Sequence, residues 1–135
     1  MRQWTRVNLH CHSDLSDGAY PPETVAEFLA RDNVRFAALA DHDTLAGQQR
    51  FKAALAAKGI GFVAAVEITA RYRHQELHLL AYGFDLDDPT LATALDETRR
   101  RQRVGLATML NSIRGTVRNM YPEDADAKAD RKSVV

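Results

Sequence analysis

The chain has one cysteine, Cys11, and only four prolines in 135 residues. A single cysteine excludes an internal disulfide framework and suits a reducing compartment. So few prolines beside 45% apolar residues argue for a folded chain and against a disordered one. An excess of charge of one sign is also missing, with 18 Lys plus Arg against 18 Asp plus Glu. No long-range field therefore favours nucleic acid, membrane or acidic partners. Long apolar runs are absent too. The longest, Ile60 to Val66, is broken by Gly61 and falls far short of a membrane span. Met1 to Arg6 has no apolar core of signal-peptide length. The expectation is one soluble, cytoplasmic domain, long enough to bury a real core.

What the chain does have is histidine and carboxylate at ordered places. Val7-Asn8-Leu9-His10-Cys11-His12 ends an apolar stretch, and Asp17-Gly18 follows in the next loop. Side chains alternate along a strand, so His10 and His12 share one face and Cys11 points to the other. Two imidazoles so placed can grip one metal ion, and a nearby carboxylate can hold a second. Asp41-His42-Asp43 ends the next apolar run, Glu67 ends the one after, and His78 lies in a fourth. Such a mixture of imidazole and carboxylate oxygen suits borderline or hard divalent cations.

The elements that carry these residues can be read from period and punctuation. Trp4 to His10 reads as a strand, followed by loop chemistry from Ser13 to Gly18. Pro21-Pro22-Glu23 opens a helix with Val25, Phe28 and Leu29 on one face and Asn33 as its stop. Phe36 to Ala40 is a short continuous apolar run, as in a strand covered on both sides. A second helix is expected from about Ala46 to Lys58, stopped by Gly59. Phe62 to Thr69 reads as a third strand and Leu77 to Tyr82 as a fourth. The polar link Arg71 to Gln75 makes those two antiparallel neighbours. Asp88 caps a helix with Pro89 at its first position. That helix is expected to reach Ile113, with Leu91, Leu95, Leu106, Leu110 and Ile113 near one stripe, and to end at Gly115. The strand–helix–strand–helix–strand order implies parallel pairing, an α/β fold. Sites of such folds gather at the carboxyl ends of strands, where His10, His12, Asp41, His42 and Glu67 all fall.

Each candidate has a duller reading. An H-x-H pair by itself arises in ordinary strands, and only the company of Asp17, His42, Glu67 and His78 makes it a metal site. A lone Glu67 on the Val63–Ala65 face would be costly to bury, and a ligand bridging two cations would account for it. His78 faces away from Leu77 and Leu79; its alternative is a satisfied core histidine. His74 lies in a polar turn and is read as a surface residue, and Cys11 as a small packing residue. Asp41 and Asp43 flank His42, so either could orient it, while Asp43 with Thr44 could equally cap a helix. The arginines from Arg99 to Arg103 read as a solvated helix face, or else as a contact for substrate phosphate or nucleic acid.

Four blocks taken together carry a resemblance. They are Asn8-Leu9-His10-Cys11-His12-Ser13 with Ser16-Asp17-Gly18, then Ala40-Asp41-His42-Asp43-Thr44, then Ala65-Val66-Glu67-Ile68-Thr69, then Glu76-Leu77-His78-Leu79-Leu80-Ala81-Tyr82. Over residues 5 to 105 the chain resembles the PHP (polymerase and histidinol phosphatase) family. Tyr82-Gly83-Phe84-Asp85 and the arginine-rich helix are similar to its TrpH-type branch. The resemblance implies the N-terminal half of a distorted (β/α)7 barrel with two or three divalent ions, manganese, zinc or iron. It implies that His10, His12 and Glu67 hold one ion, that Glu67 and His78 help hold a second, and that Asp17 and His42 hold a third. It implies a phosphoesterase for nucleoside 3′,5′-bisphosphates or the 5′ ends of short oligonucleotides. Such ions lower the pKa of a water and neutralise phosphoryl charge. No residue stands out as a general acid for the leaving group.

The chain departs from the family at its end. Family members supply a further histidine from a later strand and an Asp-x-His pair near the end of the barrel. Here no histidine follows His78. Each metal position would lack a partner, and the part-built barrel would leave open edges and an uncovered apolar face. Residues 1–121 are taken as the partial domain and the polar stretch 122–135 as a disordered tail. Asp130-Arg131-Lys132-Ser133-Val134-Val135 matches a common sequencing adapter (gatcggaagagcgtcgtgtag) translated in frame, so from residue 130 the sequence is expected to be artefactual. Two other roles compete with phosphoester hydrolysis. One is a non-catalytic PHP module of a larger polymerase-like protein, and the other is a metal-dependent amidohydrolase.

Overall fold

The computed structural model describes residues 5–120. The Trp4 end of the first predicted strand and the tail from residue 122 lie outside the described residues. The described residues divide into two units after Thr98. In the first, strand β1 (Arg6–Cys11), helix α1 (Pro22–Arg31), strand β2 (Val34–Leu39), helix α2 (Gln48–Ala56) and strand β3 (Gly61–Phe62) follow one another. The three strands form a parallel sheet in the order β1-β2-β3. This is the α/β architecture that the alternation of periods implies.

The helices form because their apolar residues recur at helical spacing. Val25, Ala26 and Leu29 of α1 and Phe51 and Leu55 of α2 are buried against Val34, Ala37 and Leu39 of β2 and against Ile60. Each large side chain buried this way contributes about 1.5–3 kcal/mol. Cys11 packs against the same cluster from β1. Both helices stop where the chain turns left-handed, at Asn33 (φ 56°) and Gly59 (φ 66°). Beyond Gly59 the Ile60 amide reaches back 3.0 Å to the Leu55 carbonyl, which satisfies a helix-end acceptor.

α2 begins at Gln48, two residues later than its apolar period suggests, with Gly47 as its cap residue. The intervening residues are spent on a turn in which the Gln48 amide bonds to the Leu45 carbonyl at 3.0 Å. The third predicted strand is two strands. β3 ends at Phe62, and strand β4 (Ala65–Tyr72) leaves the parallel sheet to pair antiparallel with strand β5 (Gln75–Tyr82). The turn between them carries Arg73 at φ 57°. The break is held by Gln48, fully buried, whose amide donates to the Leu39 carbonyl at 2.8 Å and accepts from Ala65 N at 3.5 Å.

The sheet face away from the helices is apolar and open. Val7, Phe36 and Gly61 are lateral neighbours in the parallel ladder. A Cβ at Gly61 would lie 2.3 Å from the Phe36 ring, so only glycine lets that ring cross the strand. Val7 and Phe36 are nonetheless half exposed. This is the uncovered face expected of a barrel in part.

Helix α3 (Pro89–Met120) opens as expected, with Asp88 Oδ1 accepting the Thr90 amide at 2.8 Å. It does not stop at Gly115. An interior glycine costs about 1 kcal/mol against alanine, too little to end a helix without a following residue that turns away. Of the expected stripe, Leu95 is buried while Leu106, Leu110 and Ile113 are exposed. No helix among the described residues is long and apolar enough to cross a membrane.

Candidate metal centre

The site begins at β1. Cys11 faces the helix side, its thiol donating to the Ala38 carbonyl at 3.2 Å. Alternation therefore sends His10 and His12 to the other side of the sheet. Burial first, and then the Asp41 charge, push the Cys11 thiol up to about 12. β4 meets the end of β2 through a parallel bridge between His42 and Glu67. The Asp43 amide donates to the Glu67 carbonyl at 2.9 Å, and the Glu67 amide to the Asp41 carbonyl at 3.3 Å. On β5, His78 stands opposite Thr69, two residues from the Leu80–Glu67 pair. That register puts His78 and Glu67 on the same face, because residues two apart in a strand share one.

These elements bring all six predicted residues together. His10 Nε2 lies 2.8 Å from Glu67 Oε2, His12 Nε2 lies 3.3 Å from the same oxygen, and His78 Nδ1 lies 3.0 Å from Oε1. His42 Nε2 is 3.7 Å from Asp17 Oδ2 and 3.8 Å from Glu67 Oε2. The four imidazoles form a continuous row, with successive ring centroids 4.8–5.0 Å apart from His10 through His12 and His42 to His78. Three groups have donor atoms mutually within 4.8 Å: His10, His12 and Glu67; His12, Asp17 and His42; and His42, Glu67 and His78. His74 joins none of them.

Glu67, His12 and His42 each belong to two groups, and of the three only Glu67 is buried. Burial alone would raise its carboxyl. The hydrogen bond from His10 and the charges of His42, His10 and His12 outweigh that and hold it below its ordinary value.

The donor set fits divalent cations. Bond lengths of about 2.0–2.2 Å place two ligands of one ion roughly 3.0–3.5 Å apart, and most contacts in the cluster lie near that range. His12 Nδ1 is buried and has no hydrogen-bond partner, although Asp17 Oδ1 is 3.2 Å away. The pair is close but misaligned for a hydrogen bond. An unsatisfied buried nitrogen beside a carboxylate is the arrangement that a shared cation satisfies.

Two aspartates have partners that the sequence reading did not name. Asp41 bonds neither His42 nor a helix end; its partners are Ser13 and Ser16. Asp43, at φ 52°, accepts the Thr69 amide at 2.8 Å and so ties the end of β2 to β4. The cap residue of α2 is Gly47, without a side-chain bond. Sequence reasoning passed over Ser13, Gln48 and Tyr82, whose hydroxyl donates to the Leu9 carbonyl at 2.9 Å. Ser13 carried one usable signal, a small polar residue directly after a ligand candidate.

Imidazole and carboxylate donors from the parallel sheet and from the β4–β5 pair thus define a candidate metal centre on an α/β fold. The chain belongs to the PHP domain family, whose model matches residues 8–123. It is 36% identical over 93 residues to a 3′,5′-nucleoside bisphosphate phosphatase of Chromobacterium violaceum, covering 69% of this chain and 33% of that protein. It is 33% identical over 98 residues to a 5′-3′ exoribonuclease of Haemophilus influenzae, covering 73% and 35%. Among solved structures, an amidohydrolase from Chromobacterium violaceum with bound sulfate and no metal superposes with a TM-score of 0.76 at 31% identity. That match covers 83% of this chain and 39% of the other. The chain thus spans about a third of the length of the curated relatives it matches.

Proposed function

We propose that this chain forms the amino-terminal, metal-holding part of a metal-dependent phosphoesterase acting on nucleotides. The substrate class is a nucleoside 3′,5′-bisphosphate or the 5′ end of a short oligonucleotide. The observation that carries the reading is Glu67, a buried carboxylate within 3.8 Å of nitrogens from His10, His12, His42 and His78. A buried carboxylate amid imidazoles needs positive charge to justify its burial, and divalent ions supply it.

His10, His12 and Glu67 would hold one ion, Glu67 and His78 with His42 a second, and Asp17, His42 and His12 a third. Manganese, zinc and iron all accept this mixture of nitrogen and oxygen. Two or three such ions, when bound, lower the pKa of a water and neutralise charge on the phosphoryl oxygens. The protein's own part is positional: the backbone bonds between residues 41–43 and Glu67 keep imidazoles and carboxylates at fixed separation. The two relatives, a nucleoside bisphosphate phosphatase and a 5′-3′ exoribonuclease, support a phosphate ester on a nucleotide or oligoribonucleotide as substrate. The sulfate bound by the structural relative supports affinity for a tetrahedral oxyanion.

Titration with manganese, followed by assay on a nucleoside bisphosphate and a short 5′-phosphorylated RNA in the full-length protein, tests the proposal. Uptake of ions with release of phosphate or mononucleotide is expected. The relative described as an amidohydrolase favours a second reading, cleavage of a carbon–nitrogen bond. Turnover of an amide or cyclic imide substrate, with none on either phosphate ester, would favour that reading instead.

A further inference from the structure

Asp41 is fully buried, yet neither of its oxygens is spent on the neighbouring His42. Oδ1 accepts the Ser13 amide at 2.6 Å and the Ser16 hydroxyl at 2.8 Å, and Oδ2 accepts the Ser13 hydroxyl at 2.6 Å. All three donors come from the loop that follows β1, 25 to 28 residues earlier in the chain. The loop itself is tight. The amides of Ser16 and Gly18 both bond to the Ser13 carbonyl, at 3.1 and 2.9 Å. At Gly18 a Cβ would stand 2.5 Å from the His12 carbonyl oxygen. Between those two residues lies Asp17, whose side chain is largely exposed and makes its contacts with His12 and His42. The fold leaves room for the clasp: at Gly47 a Cβ would come 3.2 Å from Asp41 Oδ2.

We infer that Asp41 is a positioning residue for the cation held by Asp17, and that it works through the serine loop. An exposed aspartate on a short loop has many rotamers and backbone positions, and bringing it to a cation costs the entropy of ordering it. Three hydrogen bonds to a buried carboxylate order the loop in advance, and charge-assisted bonds of this kind are the strong ones. Ser16 is the last link. Its hydroxyl bonds Asp41 at 2.8 Å and lies 3.3 Å from Asp17 Oδ1. It has one proton, so the shorter bond to Asp41 leaves the Asp17 oxygens free to accept a cation. The Asp41 carboxylate bonds Ser13 and Ser16 and none of His10, His12 or Glu67, so its loss is expected to fall on the Asp17 position first. The inference rests on the metal reading above and assigns one residue a place in it.

The experiment is a manganese(II) titration, read by the electron paramagnetic resonance of free ion, on the wild-type chain and on Asp41→Asn, Asp17→Ala and His10→Ala. Asparagine keeps the size of the side chain but removes its charge, so the bonds from Ser13 and Ser16 lose their charge assistance. Asp41→Asn is expected to weaken the same manganese position as Asp17→Ala, by about 10–100-fold. The position that His10→Ala removes should be retained. In the metal-free chain, the Ser13 amide proton should lose its downfield shift in Asp41→Asn and keep it in Asp17→Ala. Ser16→Ala, a milder change that leaves the Ser13 bonds in place, should weaken the Asp17 position by a smaller factor. This variant carries the test if Asp41→Asn does not fold. An unchanged isotherm in the variants, or equal weakening at every position, overturns the inference while manganese uptake by the wild type leaves the metal reading standing. A wild type that takes up no manganese sinks both.

Discussion

Glu67 Oε2 stands 2.8 Å from His10 Nε2, joining two residues 57 apart in the chain. The contact closes the centre: it links the end of β1 to β4, which has left the parallel sheet and returns beside the end of β2 through the His42–Glu67 bridge and the Asp43–Thr69 bond. Because Glu67 belongs to two of the three donor groups, its loss and the loss of a peripheral ligand should read differently.

Glu67→Gln is therefore expected to weaken two manganese positions at once, and His78→Ala one. His74→Ala should change neither, since His74 stands in no donor group among the described residues. Elemental analysis after equilibrium dialysis gives the stoichiometry. Equal metal content in wild type, Glu67→Gln and His10→Ala would remove the assignment.

The 135-residue polypeptide alone is expected to turn over a nucleoside bisphosphate little or not at all, even with manganese in excess. Every donor after His78 that the family resemblance implies is absent from this sequence, and even loss of a residue supporting a ligand costs ~10–100-fold. A turnover number in the common enzyme range of ~1–1,000 per second would show that these six residues suffice.

Gly18→Ala should disturb the loop rather than the core. The added methyl would sit 2.5 Å from a backbone oxygen and 2.8 Å from the Ser13 carbonyl carbon, and backbone cannot swing aside as a flexible side chain does. A loss of about 1–3 kcal/mol in urea unfolding is expected, together with weaker manganese binding. A variant as stable as wild type would mean that the loop has room to shift.

Phe51→Ala removes the largest fully buried side chain of the helix–sheet core. The expected cost is about 3–5 kcal/mol, read as a lowered urea midpoint. A change below 1 kcal/mol would show that the neighbouring Phe62 and Leu55 collapse into the space.

Cys11 should resist alkylation by iodoacetamide at pH 8. With its thiol pushed up to about 12, only ~10⁻⁴ of it is thiolate there, and the thiolate is the nucleophile. Mass spectrometry of the folded and urea-unfolded chain checks this: modification only after unfolding is expected, and rapid labelling of the native chain would contradict the burial.

The residues that gather at the centre were legible because the evidence for them is local. Alternation puts His10 and His12 on one face, apolar runs end at Asp41 and Glu67, and the Asp88–Pro89 pair starts a helix. Each of these follows from backbone geometry within a few residues, and the structure agrees except at Glu67, which lies near the start of β4 (Ala65–Tyr72) and not at a strand end. The division of Phe62 to Thr69 into two strands was not legible. Its apolar run is equally suited to one strand or two, and the buried Gln48 amide, 17 residues from Ala65, holds the break. The helix end at Gly115 was misread because glycine is a stop only where the following chain turns away.

The sequence by itself determined which side chains are available and that successive strands and the turns after them carry them. Those are matters of residue type and of periods two and 3.6. Only the tertiary structure decided how they combine: Glu67 shared among four imidazoles, Asp43 tied to Thr69, and Asp41 turned from His42 to Ser13 and Ser16. Asp41 shows the reason. As a carboxylate beside a histidine it had one chemically reasonable partner next to it in sequence, His42. Its burial required three donors at once, and the serine loop 25 to 28 residues away supplied them. Satisfying a buried charge is a condition on the whole surrounding volume, and the local sequence does not contain that volume.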